Sequence, residues 1–259
     1  MLTFVGLGLY DERSVTVAGR EAIQDADRVF AEFYTSHLVG ADVSDLESHH
    51  DTAIEVRDRA GVERDPAPIL DAAADGDAVF CTAGDPMIST THVDLRLRAH
   101  ERGIDTRVVH GTTAQTAASS LTGLQNYRFG KATTLPFERA HGGEGVPDSV
   151  LDTLDDNRER GLHTLVYLDI KAADDDYMSA DTAASLVADD YEDTLAVAVC
   201  RAGSPEPTVT ADRLSGLATH DFGPPLHLLV VPGDLHLLER DALAALADAP
   251  SDLLDELTV

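Results

Sequence analysis

Gly84-Asp85-Pro86 follows the apolar run Ala78-Val79-Phe80-Cys81 after Thr82-Ala83. Gly84 can adopt a positive φ, Asp85 carries an oxygen for the orphan N–H groups of a helix start, and Pro86 suits a first helical turn. The pattern predicts a buried strand, a tight turn and a helix start. Open α/β sheets bind ligands at such carboxyl-terminal strand ends. A second small-residue turn, His110-Gly111-Thr112-Thr113-Ala114, offers hydroxyls and backbone N–H groups for an adjoining wall of one pocket. A third turn, Gly6-x-Gly8, begins a dinucleotide fingerprint, with Glu32 standing where a ribose-binding acid would fall; position 11, where the third glycine belongs, is Asp11. His227 sits inside an apolar run, PPLHLLVV, and its imidazole needs a partner, either in the core or on a ligand. His49-His50 lacks metal-ligand spacing and neither HExxH nor CxxC occurs, so no metal is expected. The order of residues supports no Ser-His-Asp arrangement or P-loop.

These residues must be held by an alternation of strands and helices. Apolar runs predict strands at 2–7, 27–33, 78–82 and 104–109. Ser14 is a candidate cap for a helix ending near Asp25, Asp65-Pro66-Ala67-Pro68 opens another, and further helices are expected at 87–102 and from 114 to about 121. Residues 41–74 read as acidic helix and loop. The second half reads as strands at 128–136, 163–170, 194–201 and 225–231, helices at 148–160, 179–188 and 236–246, and a Gly-rich acidic loop at 139–147. This is an α/β chain of two domains, 1–112 with a mostly parallel sheet and helices, and 113–259 of mixed α/β character, the boundary falling in 111–124.

With 259 residues and 43% hydrophobic content, the chain can bury a real core. Lys and Arg number 19 against 47 Asp and Glu, a net charge of −28. The acids are scattered rather than gathered into a tail, which points to a surface adapted to a salty cytoplasm, where about 1 M salt shortens the Debye length to about 3 Å. No basic stripe exists for nucleic acid, and no apolar run has the length of a membrane span. The first nine residues lack a basic n-region, so a signal peptide is not expected. Cys81 and Cys200 lie in apolar runs and read as small buried hydrophobes.

Taken together, Phe4-Val5-Gly6-Leu7-Gly8-Leu9, the Glu32-x-Tyr34-Thr35-Ser36 element, Gly84-Asp85-Pro86-Met87, Thr91-His92 and His110-Gly111 resemble one family. So do the later stretches Thr164–Lys171, Arg201-Ala202-Gly203-Ser204 and 224–233. The resemblance is to the diphthine synthase family, a branch of the tetrapyrrole methylase-like methyltransferases that use S-adenosylmethionine (SAM), and it has a haloarchaeal cast. The Glu-x-Tyr-Thr-Ser element, and the lack of Gly-Pro-Gly-Asp after the first strand, separate the chain from the porphyrin-methylating branch. Thr112-Thr113 stands where the family more usually has a serine. The resemblance implies a two-domain fold, a homodimer, and SAM in the cleft between domains, with contacts at Leu9, Gly84, Asp85, Ile88, Thr113, Ala114, Leu168, Ala202 and His227. It implies the substrate as well: translation elongation factor 2, at a histidine bearing an aminocarboxypropyl group whose amine is methylated repeatedly.

Such a reaction is an in-line displacement with a neutral leaving group, so it needs neither a metal nor a strong acid. Holding the partners at attack distance is worth up to about 7–11 kcal/mol in favourable systems, so a positioning site is expected rather than a catalytic dyad. Three other readings compete: a SAM-dependent methylase acting on a corrin precursor, an NAD-binding oxidoreductase using the Gly6-x-Gly8 turn, and a non-catalytic SAM-binding or docking module.

Overall fold

The computed structural model describes residues 1–143, 145–171, 174–191 and 194–259. Residue 144 of the expected 139–147 loop lies outside the described residues. The chain divides into two compact units, Met1–Thr113 with Lys171–Asp175, and Ala114–Ile170 with Asp176–Val259.

The first unit holds β1 (Leu2–Gly6), β2 (Arg28–Glu32), β3 (Ile54–Val56), β4 (Ala78–Thr82) and β5 (Thr106–Val109), in the spatial order β3-β2-β4-β1-β5. Every pairing is parallel. β1 and β4 are buried at all five positions, as expected of central strands covered on both faces. Phe4, Phe30 and Phe80 are in register and point to one face, while Val5, Val29, Ala31, Val79 and Cys81 point to the other. Phe4 and Phe80 meet edge to face with centroids 6.0 Å apart. The connecting helices are α1 (Val17–Asp25), α2 (Val43–His50), α3 (Arg59–Glu63), α4 (Ala67–Asp75) and α5 (Val93–Glu101).

Two expectations shift here. Thr16, not Ser14, caps α1, accepting from the Gly19 N–H at 3.1 Å, whereas the Ser14 hydroxyl donates to Asp11. Residues 41–74 include the edge strand β3, whose three residues are too few to show a period.

The second unit holds α6 (Ala114–Thr122), β6 (Thr133–Leu135), α7 (Glu138–His141), α8 (Asp148–Arg158), β7 (Thr164–Leu168), the short pair β8 (Ile170–Lys171, whose Lys171 is counted with the first unit) and β9 (Asp176–Tyr177), then α9 (Ala180–Tyr191), β10 (Leu195–Cys200), β11 (Thr208–Arg213), α10 (Leu214–Leu217), β12 (His227–Val231), α11 (Leu237–Leu246) and α12 (Ser251–Leu257). Its main sheet runs β11-β10-β12-β7-β6, antiparallel except for β6 with β7. On β10, Ala196 and Ala198 meet the small residues Ala183, Ala184 and Val187 of α9, while Val197 and Val199 join the core on the other face. Alanine on both partners lets the helix lie close to the sheet. A buried polar knot fixes the start of α11. The Glu239 carboxylate accepts from the Gln125 N–H (2.8 Å), the His236 N–H (2.9 Å), Arg128 Nη1 (3.2 Å) and His163 Nε2 (3.0 Å). Burial works to raise its pKa, and these donors together bring it below the ordinary range.

Candidate functional site

The carboxyl-terminal ends of β1, β4 and β5 converge through three glycines. A Cβ on Gly6 would lie 2.5 Å from the Gly84 carbonyl oxygen and 2.7 Å from Gly111 Cα, and a Cβ on Gly111 would collide with that same oxygen. No side chain fits at either position, so main chain meets main chain. Gly8 (φ 79°) and Gly84 (φ 74°) both use the left-handed region and bridge their turns directly. The Gly84 N–H donates to Gly8 O at 2.6 Å, and the Gly8 N–H donates to Gly84 O at 3.3 Å. A Cβ built on Gly84 would touch nothing within 4 Å, so this turn presents open backbone.

Asp85 clips the two neighbouring turns together. It is 4% exposed. One oxygen accepts from the Met87 N–H at 2.9 Å; the other accepts from the Gly111 N–H at 3.2 Å and from His110 Nδ1 at 2.8 Å. Asp85 therefore does not cap a helix, and the helix expected from residue 87 begins only at Val93. The reason is local. The Pro86 carbonyl, which would start the helical ladder, is taken by the Thr90 hydroxyl (2.8 Å) and by His92 Nδ1 (3.1 Å), and Ser89 turns left-handed at φ 55°. Ile88 consequently stands outside any helix, 44% exposed.

Beneath this turn lies a buried network that the sequence does not announce. Glu32 is fully buried and accepts from the Tyr34 N–H (3.0 Å), the Thr35 N–H (2.9 Å) and the Thr82 hydroxyl. His92 Nε2 stands 3.5 Å from the same carboxylate. Burial holds the His92 pKa below its ordinary range against the pull of Glu32. The expectation that Glu32 could serve a ribose is therefore corrected: its oxygens are spent on the backbone just after β2 and on Thr82 at the end of β4.

The five expected residues of the first unit divide as follows. Gly84, Asp85 and Ile88 occupy the turn after β4, half-buried Leu9 follows Gly8, and half-buried Thr113 follows the Gly111 turn. In the second unit, Leu168 ends β7, His227 begins β12 opposite Cys200, and Ala202 lies two residues past β10. These three strands are neighbours, so the three residues share one end of one sheet. Ala114 opens α6 and packs with Ala202 against the same apolar cluster. His227 is not a polar reader in the expected sense. Its Nδ1 accepts from the Ala180 N–H at 3.1 Å and its Nε2 donates to Pro224 O at 2.9 Å. Burial lowers its pKa, with a further push from Arg201, and the neutral ring is fully engaged inside its own unit. Leu168 is 7% exposed, with its side chain in the core beside α9. A contact from either residue to a ligand would fall to main chain or ring edge.

The family model described as Tetrapyrrole (Corrin/Porphyrin) Methylases matches residues 1–218. A diphthine synthase of Halorubrum lacusprofundi is 69% identical over 99% of this chain and 100% of its own length. One of Halobacterium salinarum is 71% identical over 98% of this chain and 100% of its own. A solved diphthine synthase structure superimposes with a TM-score of 0.91 at 37% identity, covering 98% of both chains. The chain belongs to the diphthine synthase family. Within this family the parallel first sheet and the mixed second sheet are the tetrapyrrole methylase architecture. Among the described residues no helix is long and apolar enough to cross a membrane.

Sequence reasoning misses one residue of this site. In the sequence His110 reads only as part of a turn, yet its imidazole is paired with Asp85 while the side chain stays 77% exposed. The available signal is its position immediately before the glycine that must touch Gly84.

Proposed function

We propose that this protein is a diphthine synthase: a SAM-dependent methyltransferase that repeatedly methylates the amine of the aminocarboxypropyl-modified histidine of translation elongation factor 2. The observation that carries this reading is identity of 69% and 71% over essentially the whole chain to proteins of that name. The edge has no room for a Cβ at Gly6 or Gly111 and leaves the Gly84 backbone open, which suits a ligand held by main-chain groups. SAM supplies the methyl group from its sulfonium. Leu9, Gly84, Asp85, Ile88 and Thr113 are assigned to it on the first unit, and Ala114, Leu168, Ala202 and His227 on the second. Asp85 acts by fixing the Met87 and Gly111 backbones, and the rigidity of that frame lowers the entropic cost of alignment. The same reading carries a homodimer in the cytoplasm, and light scattering on the purified protein checks the dimer.

The test incubates the protein with labelled SAM and elongation factor 2 carrying the unmethylated aminocarboxypropyl group. Successive methyl additions on that histidine support the reading. Label only on a corrin precursor, or binding of NAD in place of SAM in a thermal shift, overturns it.

A further inference from the structure

We propose that His110, held by Asp85, is the base that takes the proton from the substrate amine. The inference rests on the methyltransferase reading above. The acceptor is an aliphatic amine beside its own carboxylate, and that negative charge favours the protonated form, so at neutral pH the acceptor nitrogen is largely an ammonium without a lone pair. Each round of methylation again leaves a proton on nitrogen, which must depart before the next.

The structure holds a group built for that task. His110 directly follows β5, the strand that delivers Gly111 to the Gly84 turn. Its Nδ1 lies 2.8 Å from Asp85 Oδ2. Asp85 is 3% exposed in its side chain, whereas that of His110 is 77% exposed. An acceptor-only carboxylate fixes the proton on Nδ1. Nε2 is then the lone-pair nitrogen, on a ring largely open to solvent and beside the proposed cofactor turn. A base oriented by a third, buried group is the arrangement that proton transfer needs. The N–H bond of the ammonium breaks as an Nε2–H bond forms, and its electron pair stays on the amine nitrogen. The Asp85 carboxylate offsets the imidazolium charge, and the exposed ring passes the proton to water before the next round.

A structural account competes, in which His110 merely helps Asp85 hold the Gly111 turn. His110→Asn separates the two, because its amide can donate to Asp85 in place of Nδ1 but offers no base. The proposal expects SAM affinity by calorimetry within about twofold of the parent. It expects kcat on elongation factor 2 to fall about 100-fold, the low end for a positioned base. In His110→Ala, added imidazole should restore the rate in proportion to its unprotonated form. If kcat changes by less than about threefold in both variants, the proposal is overturned. If the rate falls together with SAM affinity and imidazole restores nothing, it is overturned in favour of a positioning role. Failure of the parent protein to bind SAM, or to methylate the factor, would instead remove the underlying functional reading.

Discussion

Gly111→Ala tests the glycine edge at its tightest point. The added methyl would collide with the Gly84 carbonyl oxygen and lie 2.9 Å from Gly6 C and Cα. All of these neighbours are backbone, so no side chain can rotate away. Relief requires the Gly84 turn to move, against the Gly8 bridge and the Asp85 clip. Overpacking of this kind costs about 1–3 kcal/mol. At about 2–4 °C per kcal/mol for a chain of this size, the midpoint should fall by several degrees. The displaced turn should also weaken SAM binding at least about tenfold, since about 1.4 kcal/mol is one decade in affinity. Gly103→Ala is the control. Gly103 has φ 71° and nothing within 4 Å of the place its methyl would take, so the change costs about 1 kcal/mol of backbone strain and leaves SAM affinity unchanged. Calorimetry and thermal melts on both variants decide the matter. If Gly111→Ala binds SAM like its parent at an unchanged midpoint, the turn is not tightly constrained and the reasoning fails.

Asp85→Ala leaves the Met87 and Gly111 N–H groups without their carboxylate. It should cost about 2–4 kcal/mol of stability in a denaturant titration, because bonds to a charged acceptor are worth about 1.5–3 kcal/mol each and are not additive. A cost below about 0.5 kcal/mol would contradict the clip. His50 is buried, with neither ring nitrogen bonded, and burial first, then His49 and Arg20, push its pKa down to about 4. Because the folded value lies below the unfolded one, the unfolded state binds more protons as pH falls from about 6.5 to about 4. Stability should therefore drop through that window, by roughly 1–2 kcal/mol after allowance for solvent screening. His50→Leu should flatten this part of the stability profile; an unaltered slope would count against it. Dense negative charge, −28 overall, should make the fold salt-dependent, since the Debye length grows from about 3 Å at 1 M to about 10 Å at 0.1 M. A circular dichroism melt independent of salt would refute that.

Legibility in the sequence follows the range of the interactions. β4 and the left-handed Gly84 can be read directly, because an unbroken apolar run and a glycine-aspartate turn are local signals. The helix start after Pro86 cannot be placed, because it is displaced by Thr90, His92 and left-handed Ser89 acting around a single carbonyl. The role of Glu32 depends on Thr82, 50 residues away, and that of His227 on Ala180, 47 residues away. Neither distance leaves a trace in spacing. β11 escapes notice because an edge strand that is mostly half-buried lacks a strong apolar run. The second-unit candidates Leu168 and Ala202 come from resemblance alone, since nothing in their neighbourhood marks them chemically.

Amide hydrogen exchange with and without S-adenosylhomocysteine addresses the central claim most directly. The account predicts added protection at residues 83–89 and 110–114, where open backbone and the Asp85 clip lie. Protection confined to other segments, with these two turns unaffected, would contradict it.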